Sequence, residues 1–335
     1  MLLSVLKPLF PEVPLEAVAA AASRFYVVEA GRGVTIIEEG EQDSAVLFLV
    51  EGNVAIRTGD FEIASVGAGG IVGEVGMFGG ALRIASVHAI RPVVYAVLEA
   101  SDYHVLLEAS SPVAYAIEKL ALKQLASRLR DADQRVANLS VSKDATVTPD
   151  EHPGSAAVGY VDALGILEKS NLFEGAPIGA LDDVSRRMEA RRFRPGEVLC
   201  RQGSRGDDLY ILAEGEVEVS ISTDEGNNEV VATLSAGDVF GMASLLQDRP
   251  RIASCVARSS VLALRMERAQ CLDLVLADVR AGSVLRTAMI RALADQLAFA
   301  NAQFAQLSFE RKRKSAELMA RLGIEAHGRH VTSTR

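Results

Sequence analysis

The 335-residue chain carries the same set of landmarks twice. Phe10, Pro14, Gly33, Gly40 and Gly52 return as Phe173, Pro177, Gly196, Gly203 and Gly215, each 163 residues later. Beyond Gly52 the spacing becomes 168: Gly73, Arg83, Ile84, Ala85 and Ser86 return as Gly241, Arg251, Ile252, Ala253 and Ser254. The five added residues fall in "STDEGNNE", which has the turn chemistry of a hairpin. A repeat of this length is a duplicated domain, not a solenoid unit of about 20–50 residues. Hydrophobic residues make up 49 % of the chain, enough for each copy to bury a core of its own.

The local signals agree between copies. "AVLFLVEGNVAIRT" and "LYILAEGEVEVSIS" alternate around Gly52 and Gly215, as short strands with glycine corners do. Helical patterns, "PLEAVAAAASRF" and "APIGALDDVSRRM", precede them. Leu122, Leu125, Leu129, Ala132, Val136 and Leu139 then step by 3, 4, 3, 4, 3; so do Ile290, Leu293, Leu297, Ala300, Phe304 and Leu307. Two narrow heptad stripes suit another helix, in a second chain or in the other copy. The expected fold is mainly β with flanking α: two β-roll (jelly-roll) domains, each with N-terminal helices and a long C-terminal helix. The expected limits are 1–140 for the first domain, 141–157 for a flexible Ser/Thr/Asp/Pro linker, 158–310 for the second domain and 311–335 for a basic helical end and tail.

The stretch "GEVGMFGGALRIA", residues 73–85, sets Glu74 and Arg83 around four glycines. Bare backbone lets amide N–H groups approach an anion, and an Arg on the same loop offers a planar fork to phosphate oxygens. A carboxylate would repel phosphate, so Glu74 needs another partner, and a sugar hydroxyl is the natural one. Phosphate and ribose hydroxyl on one short loop indicate a small nucleotide. The chain has no G-x-x-x-x-G-K-[ST], and glycines 70, 73 and 76 do not make a G-x-G-x-x-G fingerprint.

Each copy resembles a cyclic-nucleotide-binding domain, the module of the catabolite activator proteins and of protein kinase A regulatory subunits. "FPEVP" and "FEGAP", "GVTIIEEG" and "GEVLCRQG", and the cassette itself match in order and spacing. The resemblance implies that Glu74 accepts from the ribose 2′-hydroxyl and that Arg83 neutralises the cyclic phosphate. Backbone amides near Gly76, Met77 and Ala85 would hold the phosphate oxygens. The implied first site is Gly73, Glu74, Val75, Gly76, Met77, Arg83, Ile84, Ala85 and Asp133, the last reaching the base from the long helix. The implied second site is Gly241, Met242, Ala243, Ser244, Arg251, Ile252, Ala253 and Asn301. Ile84 and Ile252 follow the arginines where cGMP-selective members often carry Thr or Ser, which tilts the expectation toward cAMP.

The second copy departs from the pattern. Met242 replaces the cassette Glu, which makes that site degenerate or weak, or suits it to another ligand, such as a dinucleotide or another small anion. The first cassette lacks the usual Pro before its Arg.

Other functions find little support. The net charge is −9, a poor balance for a general polyanion binder, so no nucleic acid is expected. Cys200, Cys255 and Cys271 form no CxxC pair, and the five histidines have no metal spacing, so no metal and no catalytic residues are assigned. No run reaches the ~18 apolar residues needed to span a bilayer, and a cytoplasmic location fits. The run Arg311–Lys314 reads as the solvated end of a helix, with Ser315 behind it a weak phosphorylation candidate. The expectation is a non-enzymatic cyclic-nucleotide sensor that relays binding through its long helices to an effector protein, as a homodimer or by pairing within the chain. The alternative is an assembly module with degenerate sites, or a cyclic di-GMP receptor.

Overall fold

The structure is a computed structural model describing residues 2–79, 82–139, 156–159, 161–205, 207–222, 228–247 and 250–321. In the first copy, α1 (Leu2–Leu6) and α2 (Leu15–Ala21) lead into eight strands: β1 (Phe25–Ala30), β2 (Thr35–Ile37), β3 (Val46–Glu51), β4 (Asn53–Thr58), β5 (Phe61–Gly67), β6 (Ile71–Val72), β7 (Ser86–Ala89) and β8 (Val93–Leu98). A short helix, α3 (Glu74–Gly79), interrupts them, and α4 (Ala100–Glu108) and α5 (Pro112–Leu139) close the copy. The strands form two antiparallel sheets, β1-β8-β3-β6 and β2-β7-β4-β5, that make a roll.

The second copy repeats this order. After β9 (Ala156–Ala157) come α6 (Ala163–Lys169), α7 (Ile178–Ser185), β10 (Glu189–Phe193), β11 (Val198–Cys200), β12 (Asp208–Glu214), β13 (Val217–Ser222), β14 (Asn228–Leu234) and β15 (Val239–Phe240). Then follow α8 (Met242–Gln247), β16 (Ser254–Ala257), β17 (Val261–Glu267), α9 (Arg268–Leu276) and the 42-residue α10 (Arg280–Arg321). Its sheets are β15-β12-β17-β10-β9 and β11-β16-β13-β14. The extra edge strand β9 comes from the last two residues of the segment read as a linker, paired with Arg191 and Arg192. The rest of that segment, and the turn of the longer second hairpin, lie outside the described residues. Ser222↔Asn228 nonetheless closes the ladder around that turn.

The repeated glycines have a steric cause. Gly52 has φ +85° and Gly215 φ +89°, and a Cβ at either would lie within 2.4 Å of a backbone carbonyl, that of Pro92 or Ser260. Only glycine fits these two corners.

The heptad stripes find each other. Leu122, Leu125, Leu129, Ala132 and Val136 on α5 are buried, as are Ile290, Leu293, Leu297 and Ala300 on α10. The two helices pack together within the chain. One continuous core runs from Leu6, Phe10 and Phe48 through both helices to Leu181, Leu209 and Leu264. The chain thus resembles two subunits of a helix-paired dimer joined end to end. Smaller apolar clusters fill each roll.

Candidate functional site

A cavity of about 670 Å³ opens between the first roll and the paired helices. β5, the cassette and the two long helices build it. The cassette brings Gly73, Glu74, Val75, Gly76, Arg83, Ile84 and Ala85; α5 brings Gln124, Ser127, Arg128, Asp131 and Arg135; α10, from the second copy, brings Leu297 and Asn301.

Glycine fixes the floor. Gly73 has φ +88°, and a Cβ there would sit 2.6 Å from Ala45 O and 2.7 Å from Arg83 Nη1. The Arg83 guanidinium therefore lies against bare backbone. It is 3 % exposed. Its Nη1 donates to Gly73 O at 2.8 Å, and its Nη2 donates to Ala45 O at 2.7 Å and Asp43 Oδ2 at 2.5 Å. Burial pushes the Asp43 carboxyl up, but the Ala45 amide and the Arg83 guanidinium outweigh it and hold that carboxyl below its ordinary value.

Glu74 is 1 % exposed. Arg128 donates to its Oε1, and through Nη2 to Ile71 O at 2.6 Å and Gln124 Oε1 at 3.2 Å. Helix α5 is thereby tied to the start of the cassette by a buried ion pair.

Beside the cavity, α10 meets β5. Asn301 is buried. Arg135 donates to Ile63 O and lies 5.3 Å from the Phe304 ring centroid. Phe304 meets Phe61 edge-on at 6.1 Å, and Lys312 Nζ sits 4.3 Å over the Phe61 ring.

Four polar atoms on cavity-lining residues are buried without a protein partner: Glu74 Oε2, Arg83 Nε, Arg135 Nε and Asn301 Oδ1. Buried polar groups are satisfied in the great majority of cases, so such a cluster calls for an explanation. Two are acceptors and two are donors.

A model of the cyclic nucleotide-binding domain matches residues 22–110 and 190–278, just over half of the chain and both copies. The chain belongs to the cyclic nucleotide-binding domain family. It is 40 % identical over 86 residues to a cAMP-dependent protein kinase regulatory subunit of Mycosarcoma maydis, covering 26 % of this chain and 16 % of the relative. It is 30 % identical over 149 residues to a cGMP-dependent protein kinase of Eimeria tenella, covering 44 % and 14 %. It is 25 % identical over 144 residues to a CRP-like cAMP-activated global transcriptional regulator of Mycobacterium tuberculosis, covering 43 % and 62 %. In each case the match spans less than two thirds of the relative's own length. Among solved structures, the regulatory subunit of a cAMP-independent protein kinase A from Trypanosoma brucei aligns over 82 % of this chain and 86 % of its own, at 19 % identity and a TM-score of 0.33. That score is too low to bear on the fold.

The second cyclic nucleotide-binding domain keeps the cassette backbone and its arginine and lacks its carboxylate. Gly241 has φ +88°, and a Cβ would lie 2.6 Å from Arg251 Nη1. Arg251 is buried, with Nη1 donating to Gly241 O at 2.7 Å and Nη2 to Asp208 O at 2.6 Å. Met242 faces the shared core instead of a ligand, and Ser244 Oγ donates to Pro250 O at 3.3 Å. The side chain of Ala243 lies outside the described positions. Ile252 and Ala253 pack in an apolar cluster with Ile221, Val231 and Val136, the last coming from α5. Gln296, at the position equivalent to Arg128, donates to Val239 O at 2.6 Å.

Three sequence assignments change. Asn301 belongs to the first cavity and not the second, because the pairing of α5 with α10 carries each long helix to the other copy's roll. Asp133 is not among the residues lining the first cavity; its neighbour Arg130 reaches Pro250 O of the second roll at 3.5 Å. Met77 turns into the core, and its amide donates to Gly73 O at 3.2 Å, which removes it from any ligand. Gly80 and Ala81 of the cassette lie outside the described residues.

Arg128, Asp43 and Arg135 escaped the sequence reading. For Arg128 a signal existed: the repeat changes Glu74 and Arg128 together, to Met242 and Gln296. Among the described residues no cluster of His, Cys, Asp or Glu could hold a metal ion, and no helix is long and apolar enough to cross a membrane.

Proposed function

We propose that the first domain binds one cyclic mononucleotide, cAMP ahead of cGMP, and that the second domain is a filled scaffold which lends its helix to that site. The carrying observation is the set of unpartnered buried atoms on residues that line one cavity. Arg83 Nε is a donor for the cyclic phosphate, Glu74 Oε2 an acceptor for a ribose hydroxyl, and Asn301 Oδ1 an acceptor for an exocyclic amino group. The volume of about 670 Å³ is in the range of small-molecule sites. Ile84 on the wall offers no hydrogen bond to a guanine carbonyl, which favours adenine. The domains are of the kind found in regulatory proteins, and this chain acts as a regulatory module in the same sense.

Signalling follows from the composite wall. The ligand touches α5 through Arg128 and Arg135 and α10 through Asn301, so occupancy weights one helix arrangement over another. The distal end of α10, beyond Lys312, carries that change to an effector protein. Calorimetric titration of the full chain with cAMP and cGMP tests this. One cAMP per chain, lost in Arg83→Ala and kept in Arg251→Ala, is the expected result; no binding by the native chain overturns it.

A further inference from the structure

The cross-strand pair Cys200↔Cys255 stands where the first roll has Ile37↔Val87. In the first roll that apolar pair lines the cavity. Both partners of one register pair are cysteine in the roll that lacks the cassette carboxylate. We propose that Cys200 and Cys255 form an oxidisable dithiol, closed to a disulfide by a hydroperoxide, so that the second roll takes an oxidant where the first takes a nucleotide.

The geometry permits the bond. Directly opposed residues of an antiparallel ladder have Cα atoms about 4.5–5.5 Å apart, inside the range of about 4.4–6.8 Å that a disulfide spans. Both side chains face the same interior cluster and are buried, at 6 % and 7 % exposed. On one side of the pair the ladder resumes at Val198↔Val256 after a register shift, and on the other Gln202 N donates to Ser254 Oγ at 3.0 Å and Gly203 N to Arg251 O at 2.8 Å. The two sulfurs are not equivalent. The Cys255 thiol donates to Cys200, which holds Cys200 below its ordinary thiol value against the push of burial, and the nearby Arg251 guanidinium favours its thiolate further. The same hydrogen bond and burial push Cys255 well up. A thiolate beside a cation is the reactive form.

The Cys200 thiolate attacks one peroxide oxygen; the O–O bond breaks, hydroxide leaves and takes up the proton that Cys200 gave up, and Cys200 becomes a sulfenic acid. The Cys255 sulfur then attacks the Cys200 sulfur; the S–O bond breaks, and water leaves with the Cys255 proton. Each sulfur yields one electron, and the peroxide is reduced to two waters. The product staples β11 to β16, the strand that follows the second cassette.

Cys271 is an internal control. It lies on α9 at 0 % exposure, and burial pushes its thiol up to about 12. The full chain is treated with hydrogen peroxide, denatured, and its thiols counted and peptides mapped. The expected result is a cross-link between the peptides holding Cys200 and Cys255, with Cys271 free. The cross-link disappears in Cys200→Ser. If that variant does not fold, Cys200→Ile with Cys255→Val, which installs the first roll's pair, serves instead; peroxide then raises the melting temperature of the native chain and leaves the double variant unmoved. Three free thiols after treatment, oxidation of Cys200 to sulfinic acid without a cross-link, or loss of Cys271 at the same rate would each overturn the proposal.

Discussion

Glu118 and Arg286 occupy equivalent positions of the two copies, 168 residues apart, and meet each other between α5 and α10, with Arg286 Nε donating to Glu118 Oε2 at 2.7 Å and both side chains fully buried. Tyr103 and Ser283 each donate to Glu118 Oε1 at 2.7 Å, and Arg286 Nη1 donates to Val275 O and Ala277 O at 2.8 and 2.9 Å. In a symmetric pair of identical helices such a position faces its own copy. Here it faces its complement.

Removing one partner should therefore cost more than removing both. Arg286→Met leaves a buried carboxylate without its cation and should lower unfolding stability by about 3–5 kcal/mol. Glu118→Met with Arg286→Met should lose clearly less. Denaturant unfolding of the two variants checks the order. A symmetric dimer through α5 would set Glu118 against Glu118, so the full chain should also be monomeric by light scattering.

The Glu74–Arg128 pair should matter to ligand and not merely to fold. Glu74→Met with Arg128→Gln copies the second domain's residues and should leave the chain folded. The lost charged hydrogen bond is worth about 1.5–3 kcal/mol, so cAMP should bind roughly 10- to 100-fold more weakly by calorimetry.

Asn301 should set base preference from the other copy. Asn301→Leu removes the acceptor and should weaken cAMP about 10-fold, while leaving the melting curve of the unliganded chain close to native. Competition binding with cAMP and cGMP reads both effects, and an unchanged cAMP affinity would place the base elsewhere.

Asp133 should make stability depend on pH. Burial raises its carboxyl to about 7, with Arg130 opposing. A folded value above the unfolded one means that this contribution is complete below about pH 4 and fades as pH rises toward 7. The melting temperature should fall between pH 4 and 7 on this account, and Asp133→Asn should flatten that slope.

Much of this was legible in the residues. The duplication, the glycine corners, the longer second hairpin and the cassette pair Glu74 and Arg83 all follow from local chemistry at fixed spacing. The exchange of helices does not. A heptad stripe says that a helix has a partner, not which one, so the stripe alone does not bring Asn301 to the first cavity or keep Asp133 off its lining. Arg128 lies 54 residues from Glu74, a distance that only the closed tertiary structure spans. Asp43 stands on a loop whose turn toward Arg83 no local pattern records.

The pairing of α5 with α10 inside one polypeptide has a consequence for descent. A symmetric assembly receives each mutation on both sides at once, so neither side can be given up while the other is kept. A fused pair escapes that constraint. One roll can surrender its carboxylate and close over its own side chains, while its helix goes on furnishing a wall of the neighbouring pocket.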